Sequence, residues 1–179
     1  MRGFVQENIG NATQILREAV DGGVNFVDTA DCYEGSETAV GRVLEDENLR
    51  DEVVLATKFG WYMGDGANDF GASRKHIIEA CEASLRRLRT DYIDLYVLHV
   101  VDPNTPWEQV LGAFDTLIQQ GKVRYAGTSK HPSSLIAEAQ GVSEREGLPR
   151  LINEQTVYNI LDRTPENQLM WTARHHGIG

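Results

Sequence analysis

Apolar residues in this chain gather in short, nearly continuous runs. Between the runs they recur every three or four positions. The runs are Val24–Asp28 (VNFVD), Val53–Phe59 (VVLATKF), Ile93–His99 (IDLYVLH), Val123–Ser129 (VRYAGTS) and Leu151–Val157 (LINEQTV). Runs of this length without strict alternation predict strands of a parallel sheet, buried on both faces. The intervening stretches predict helices. The best punctuated spans Pro106–Gln120, with Thr105 as N-cap, Pro106 in the first helical position, Glu108 completing a capping box and Gly121 as the left-handed stop. Val110, Phe114, Leu117 and Ile118 share one face of it. Ser73 caps another helix, whose face carries Ile77, Cys81, Leu85 and Leu88. Further helices are expected over Thr13–Asp21, ending on Gly22-Gly23, and over Glu37–Asp46, Pro132–Arg145 and Pro165–His176.

The runs begin at residues 24, 53, 93, 123 and 151. This is a βα unit repeated about every 30 residues, with a Gly- and aromatic-rich insertion, Trp61–Ala72, in the wider second interval. Such a repeat builds either a doubly wound sheet or a (β/α)8 barrel. No strand is followed by G-x-G-x-x-G and no P-loop occurs, which disfavours the doubly wound sheet. A complete barrel takes roughly 250 residues. The expectation is therefore one domain over residues 1–179, α/β, of the (β/α)8 TIM-barrel type and incomplete, with about five βα units.

Composition narrows the function. The chain has 179 residues, 41% hydrophobic and 25% charged, which excludes a disordered or fibrous chain. A net charge of −10 argues against nucleic acid and anionic lipid as partners. No apolar run approaches the roughly 18 residues of a membrane span, and the start, MRGFVQENIGN, lacks a signal peptide's apolar core. Two cysteines, Cys32 and Cys81, suit a reducing compartment, so a cytoplasmic protein with free thiols and no bound metal is expected.

In a barrel, chemistry sits at the C-terminal ends of the strands. There the sequence places Asp28 with Tyr33 just beyond it, Lys58 and His99. Taken singly, each has a plainer use: a strand-end Asp more often caps a turn, and a Tyr more often packs. Four ionisable groups at successive strand ends are harder to explain that way, because buried without partners they cost several kcal/mol. Facing each other, Asp28 and Lys58 form an ion pair, Lys58 lowers the Tyr33 pKa, and His99 donates to a substrate oxygen. That constellation suits carbonyl reduction, with hydride from a cofactor.

The stretches GGVNFVDTADCYEGSE, VVLATKFG, SLRRLRTDYIDLYVLH, DPNTP, GKVRYAGTS and EQTVYN, with Asp162-Arg163, resemble the aldo-keto reductase superfamily, in order and from about Ala12 onward. The branch resembled holds aryl-alcohol-dehydrogenase-like bacterial enzymes and potassium-channel β subunits. The resemblance implies NADP(H) as cofactor, with NAD(H) less favoured, and a small-molecule carbonyl or alcohol substrate. It implies a tetrad of Asp28, Tyr33, Lys58 and His99, with Tyr33 the general acid. It places Ser129, Lys130 and Gln155 at the nicotinamide amide, Lys130 replacing the commoner Asn. Trp61 and Tyr62 fall where the family lines its substrate pocket; simple loop packing explains them equally well. Against the family pattern, MRGFVQENIGN is too short for a first strand and its loop, and the seventh and eighth units are missing after Gly177-Ile178-Gly179. The expected function is NAD(P)H-dependent reduction of an aldehyde or ketone, or its reverse. The alternatives are a non-catalytic barrel remnant or interaction subunit, and an inactive fragment. Open edges at Val24–Asp28 and Leu151–Val157 predict self-association.

Overall fold

The structure is a computed structural model that describes residues 9–66 and 68–179, with side chains from Thr13 onward. The reading of MRGFVQENIGN as too short for a first strand and loop lies largely outside the described residues.

Strands β1 (Phe26–Asp28), β2 (Val54–Phe59), β3 (Ile93–Leu98), β4 (Val123–Ser129) and β5 (Leu151–Gln155) form one sheet in chain order, every neighbour parallel. Helices α1 (Ile9–Asp21), α2 (Ser36–Asp46), α3 (Arg74–Leu88), α4 (Trp107–Gln119), α5 (Ser133–Glu146) and α6 (Leu169–His176) form a layer in which chain neighbours touch. This is the βα repeat that the sequence predicts, as an incomplete α/β barrel. The core lies between sheet and helices. Phe59 stacks on Tyr96 at 4.5 Å between ring centres, and Phe114 meets both rings edge-on at 5.9 and 6.0 Å. The helix faces read from the sequence turn inward: Val110, Phe114 and Leu117 on α4 are buried and Ile118 partly so, and Ile77, Cys81, Leu85 and Leu88 on α3 are buried.

The opposite face of the sheet is the barrel's inside, with Ala56, Leu95 and Val97 as a small separate apolar cluster. Below it Phe26 and Tyr125 are about half exposed, at 46% and 55%. The sheet is strongly curled. In a flat sheet four strand spacings would hold β1 and β5 roughly 19 Å apart. Yet Gln155 Nε2 at the end of β5 donates to Asp28 Oδ1 at the end of β1, at 2.9 Å.

Three expectations change. Thr105 is not the α4 cap. Its hydroxyl donates to Asp102 Oδ2 at 2.8 Å, and Pro106, in an extended conformation, is the residue that precedes the helix. Asp102 also takes the amides of Ala72 and Asn104, so it pins the Trp61–Ala72 excursion to the loop before α4. Burial alone would lift the Asp102 carboxyl, but these three donors outweigh it and hold it below the ordinary carboxylate value. The expected helix Pro165–His176 is split into a single 3-10 turn, Thr164–Glu166, and α6. The β5 edge is not wholly bare either: Gly179 donates to Ile152 O and accepts from Glu154 N, both at 2.9 Å, as the next parallel strand would. Among the described residues β1 pairs only with β2. No described helix is long and apolar enough to cross a membrane.

Gly41 sets how closely α2 approaches α3. A Cβ there would stand 2.5 Å from Arg87 O and 2.6 Å from Leu88 C, both backbone atoms that cannot swing aside. Gly41→Ala gains about 1 kcal/mol of helix propensity, yet it should lose about 1–3 kcal/mol net through overpacking. Urea unfolding checks this; an unchanged or raised midpoint would contradict the close approach.

Candidate active site

The curl gathers strand-end residues from both edges of the sheet. Lys58, only 3% exposed, sends Nζ to Asp28 Oδ2 at 2.5 Å and to the Thr29 carbonyl at 2.8 Å. The chain beyond Asp28 stays beside β2, with Thr29 N donating to Ala56 O and Asp31 N to Lys58 O. This extended path delivers Cys32 and Tyr33 to the mouth of the barrel. Lys58 Nζ lies 5.2 Å from the centre of the Tyr33 ring, and Tyr33 meets His99 edge-on at 5.8 Å. Trp61 approaches His99 at 6.1 Å.

The remaining predicted residues divide. Ser129 and Gln155 are register partners on β4 and β5, which sets a hydroxyl and an amide side by side on the inner face. Lys130 adopts a left-handed conformation, φ 58°, and its amide donates to Gln155 O at 2.9 Å, tying the two strand ends. Its ammonium is near enough to act on His99. Tyr62 does not join the cluster: it stacks on Phe70 at 4.0 Å within the Trp61–Ala72 loop, as the packing alternative expects.

The electrostatics depart from expectation at Tyr33. Its hydroxyl pKa is raised, not lowered, by burial first and then by the carboxylate of Asp28 and by Cys32. The reason is geometric. Lys58 directs its charge at Asp28 and Thr29 O and lies over the Tyr33 ring face, while Asp28 brings negative charge nearby. His99 is pushed down by burial, then by the Lys58 and Lys130 ammoniums, with Asp28 opposing. The imidazole is therefore neutral at physiological pH.

Two features, one half-buried and one buried, were missed in the sequence. Cys32 Sγ lies 3.7 Å from His99 Nδ1. Its position beside Tyr33 was the available signal. The second is Asp31, 7% exposed, whose carboxylate oxygens meet no well-placed hydrogen-bond partner. Next to it Glu37, more deeply buried, accepts from Thr57 Oγ1 and Arg87 Nε, both at 2.6 Å. Burial, then the charge of Glu37, push the Asp31 carboxyl up to about 7. Cys32 and Cys81 are both free, and burial lifts the Cys81 thiol to about 12.

The model of the aldo/keto reductase family matches residues 7–179. The uncharacterized oxidoreductase YrpG of Bacillus subtilis is 37% identical over 94% of this chain and 55% of its own length. A probable voltage-gated potassium channel subunit beta of Arabidopsis thaliana is 38% identical over 97% of this chain and 54% of its own length. A putative subunit of the same kind in Schizosaccharomyces pombe is 36% identical over 96% and 52%. The chain thus spans about half the length of the curated relatives it matches.

Asp31 supplies a test of the site's electrostatics. Its carboxyl titrates near 7 when folded and near 4 when unfolded, so between those values the folded chain holds the extra proton. The stability from this group is complete below about pH 4 and is lost as pH rises through about 7. Asp31→Asn should therefore stabilise the chain at pH 8, on the order of 1–3 kcal/mol, and much less at pH 5. Glu154, also lifted to about 7 by burial, keeps part of the slope in the variant. Urea unfolding at both pH values checks this; an equal effect at both would refute the buried protonated acid.

Proposed function

This chain belongs to the aldo/keto reductase family, and from that premise we propose that its site serves NAD(P)H-dependent reduction of an aldehyde or ketone, or the reverse oxidation. The supporting observation is the ion pair of Lys58 Nζ with Asp28 Oδ2 at 2.5 Å, with Tyr33 and His99 edge to face beside it. His99, neutral, donates to the carbonyl oxygen and orients it. Tyr33 gives that oxygen its proton, and its raised pKa suits an acid that arrives protonated. Lys58, held by Asp28, lies over the Tyr33 ring face and fixes the phenol beside His99. Trp61 forms one wall of the substrate side.

The residues present fit the nicotinamide end of the cofactor. Ser129 Oγ and the Gln155 amide offer a hydroxyl, an N–H donor and a carbonyl acceptor, the complement of a carboxamide, beside Asp28. Lys130 stands at the rim. When bound, the cofactor supplies the hydride that no side chain can provide. NADPH is proposed over NADH on the family's habit alone. The two free cysteines support a cytoplasmic setting.

A second reading has support in the relatives named as potassium channel subunits: the chain is part of an interaction subunit. Self-association through the β1 edge and the exposed inner residues Phe26 and Tyr125 is proposed for the chain alone. Light scattering on a size-exclusion column should then give a mass above that of one chain; a clean monomer would contradict it.

Activity separates the two readings. A purified protein carrying this chain should oxidise NADPH in the presence of benzaldehyde. Tyr33→Phe should cut that rate by roughly 10²–10⁴ and leave NADPH binding, read by nicotinamide fluorescence, unchanged. Unaltered turnover would remove Tyr33 as the acid, whereas NADPH binding without reduction of any carbonyl would favour the subunit reading.

A further inference from the structure

Cys32 has no part in the roles proposed above, yet its Sγ is 3.7 Å from Nδ1 of His99, a residue 67 positions away. A neutral imidazole carries one N–H, and the partner of one ring nitrogen decides which nitrogen holds it. The groups around the ring are Cys32 at Nδ1, the Tyr33 and Trp61 rings, the Lys58 and Lys130 ammoniums and the Asp28 carboxylate. Both ammoniums disfavour a doubly protonated ring. The Cys32 thiol is pushed up by burial and then by the Asp31 carboxyl, so it too keeps its proton.

A protonated thiol and a neutral imidazole can pair in two ways. The thiol is a weak donor and a weak acceptor, whereas the imidazole offers one good donor and one good acceptor. A bond from S–H to Nδ1 satisfies the thiol hydrogen and leaves the ring N–H for an oxygen, whereas the reverse bond spends the ring N–H on sulfur and leaves S–H unpaired, so the bond runs from S–H to Nδ1. We infer that Cys32 is a positioning residue: its thiol donates to Nδ1 of His99 and so keeps the ring proton on Nε2, the nitrogen left to meet a substrate oxygen. This deepens the reading of His99 as the group that orients the carbonyl, and its purpose rests on that reading. The tautomer itself does not.

The test is long-range ¹H–¹⁵N NMR of the uniformly labelled 179-residue chain at pH 8, with His99 assigned by His99→Asn. In the wild type, Nε2 should show the pyrrole-type shift of a protonated nitrogen and Nδ1 the pyridine-type shift of a bare one. Cys32→Val should raise the population of the Nδ1–H form about three- to tenfold, the worth of one modest hydrogen bond. Cys32→Ser, which keeps a donor, should hold the wild-type pattern. A protonated Nδ1 in the wild type would overturn the inference without any variant, and so would an unchanged tautomer ratio in Cys32→Val. If no carbonyl is reduced but Nδ1 is bare and responds to Cys32→Val, the proposed activity fails while the tautomer assignment stands.

Discussion

The structure depends on one carboxylate that joins the two edges of a curled sheet. Asp28 Oδ2 takes the buried ammonium of Lys58 from the neighbouring strand, and Oδ1 takes the amide of Gln155 from the far edge, 127 residues along the chain. A flat parallel sheet could not make both contacts. The strand twist that curls parallel βα repeats toward a barrel brings the first and last strand ends within reach. The ionisable groups then share one mouth, and their environments are set by one another. Lys58 can stay buried because Asp28 and Thr29 O satisfy it.

That arrangement explains why the charges act as they do. Lys58 is committed to Asp28, so it does not draw down the Tyr33 pKa, and burial with the nearby carboxylate raises it. Burial, and after it the same cation with Lys130, keeps His99 neutral. A protonated phenol and a neutral imidazole thus stand beside a fixed ammonium at the mouth of the barrel. Beneath them lies a second buried acidic pair, Asp31 and Glu37. There only Glu37 is well satisfied, by Thr57 and Arg87.

Much of the fold was legible because periodicity and burial agree in a parallel βα repeat. The strand runs appear close to where they were read, and β4 matches Val123–Ser129 residue for residue. Thr105 misled because a capping box in sequence says nothing of a competing acceptor: Asp102, three residues upstream and fixed by Ala72 across the loop, takes the hydroxyl first. The convergence of Asp28, Lys58, Tyr33 and His99 followed from their strand-end positions. The sign of the Tyr33 shift did not, since it depends on where the Lys58 ammonium points. Cys32 against His99 was hidden for a similar reason. A half-buried thiol looks like packing until the curl of the sheet sets a histidine beside it. Tyr62 shows the reverse, a loop aromatic whose partner, Phe70, lies eight residues on in the same loop.

The claim that the sheet's two edges close on Asp28 is tested most directly by a double-mutant cycle in urea unfolding with Asp28→Ala, Gln155→Ala and the pair. If Gln155 donates to Asp28 as described, the two substitutions should couple by at least about 0.5 kcal/mol, as residues in contact do. Effects that add within about 0.3 kcal/mol would mean that β1 and β5 stay apart and that the site is not assembled across the sheet.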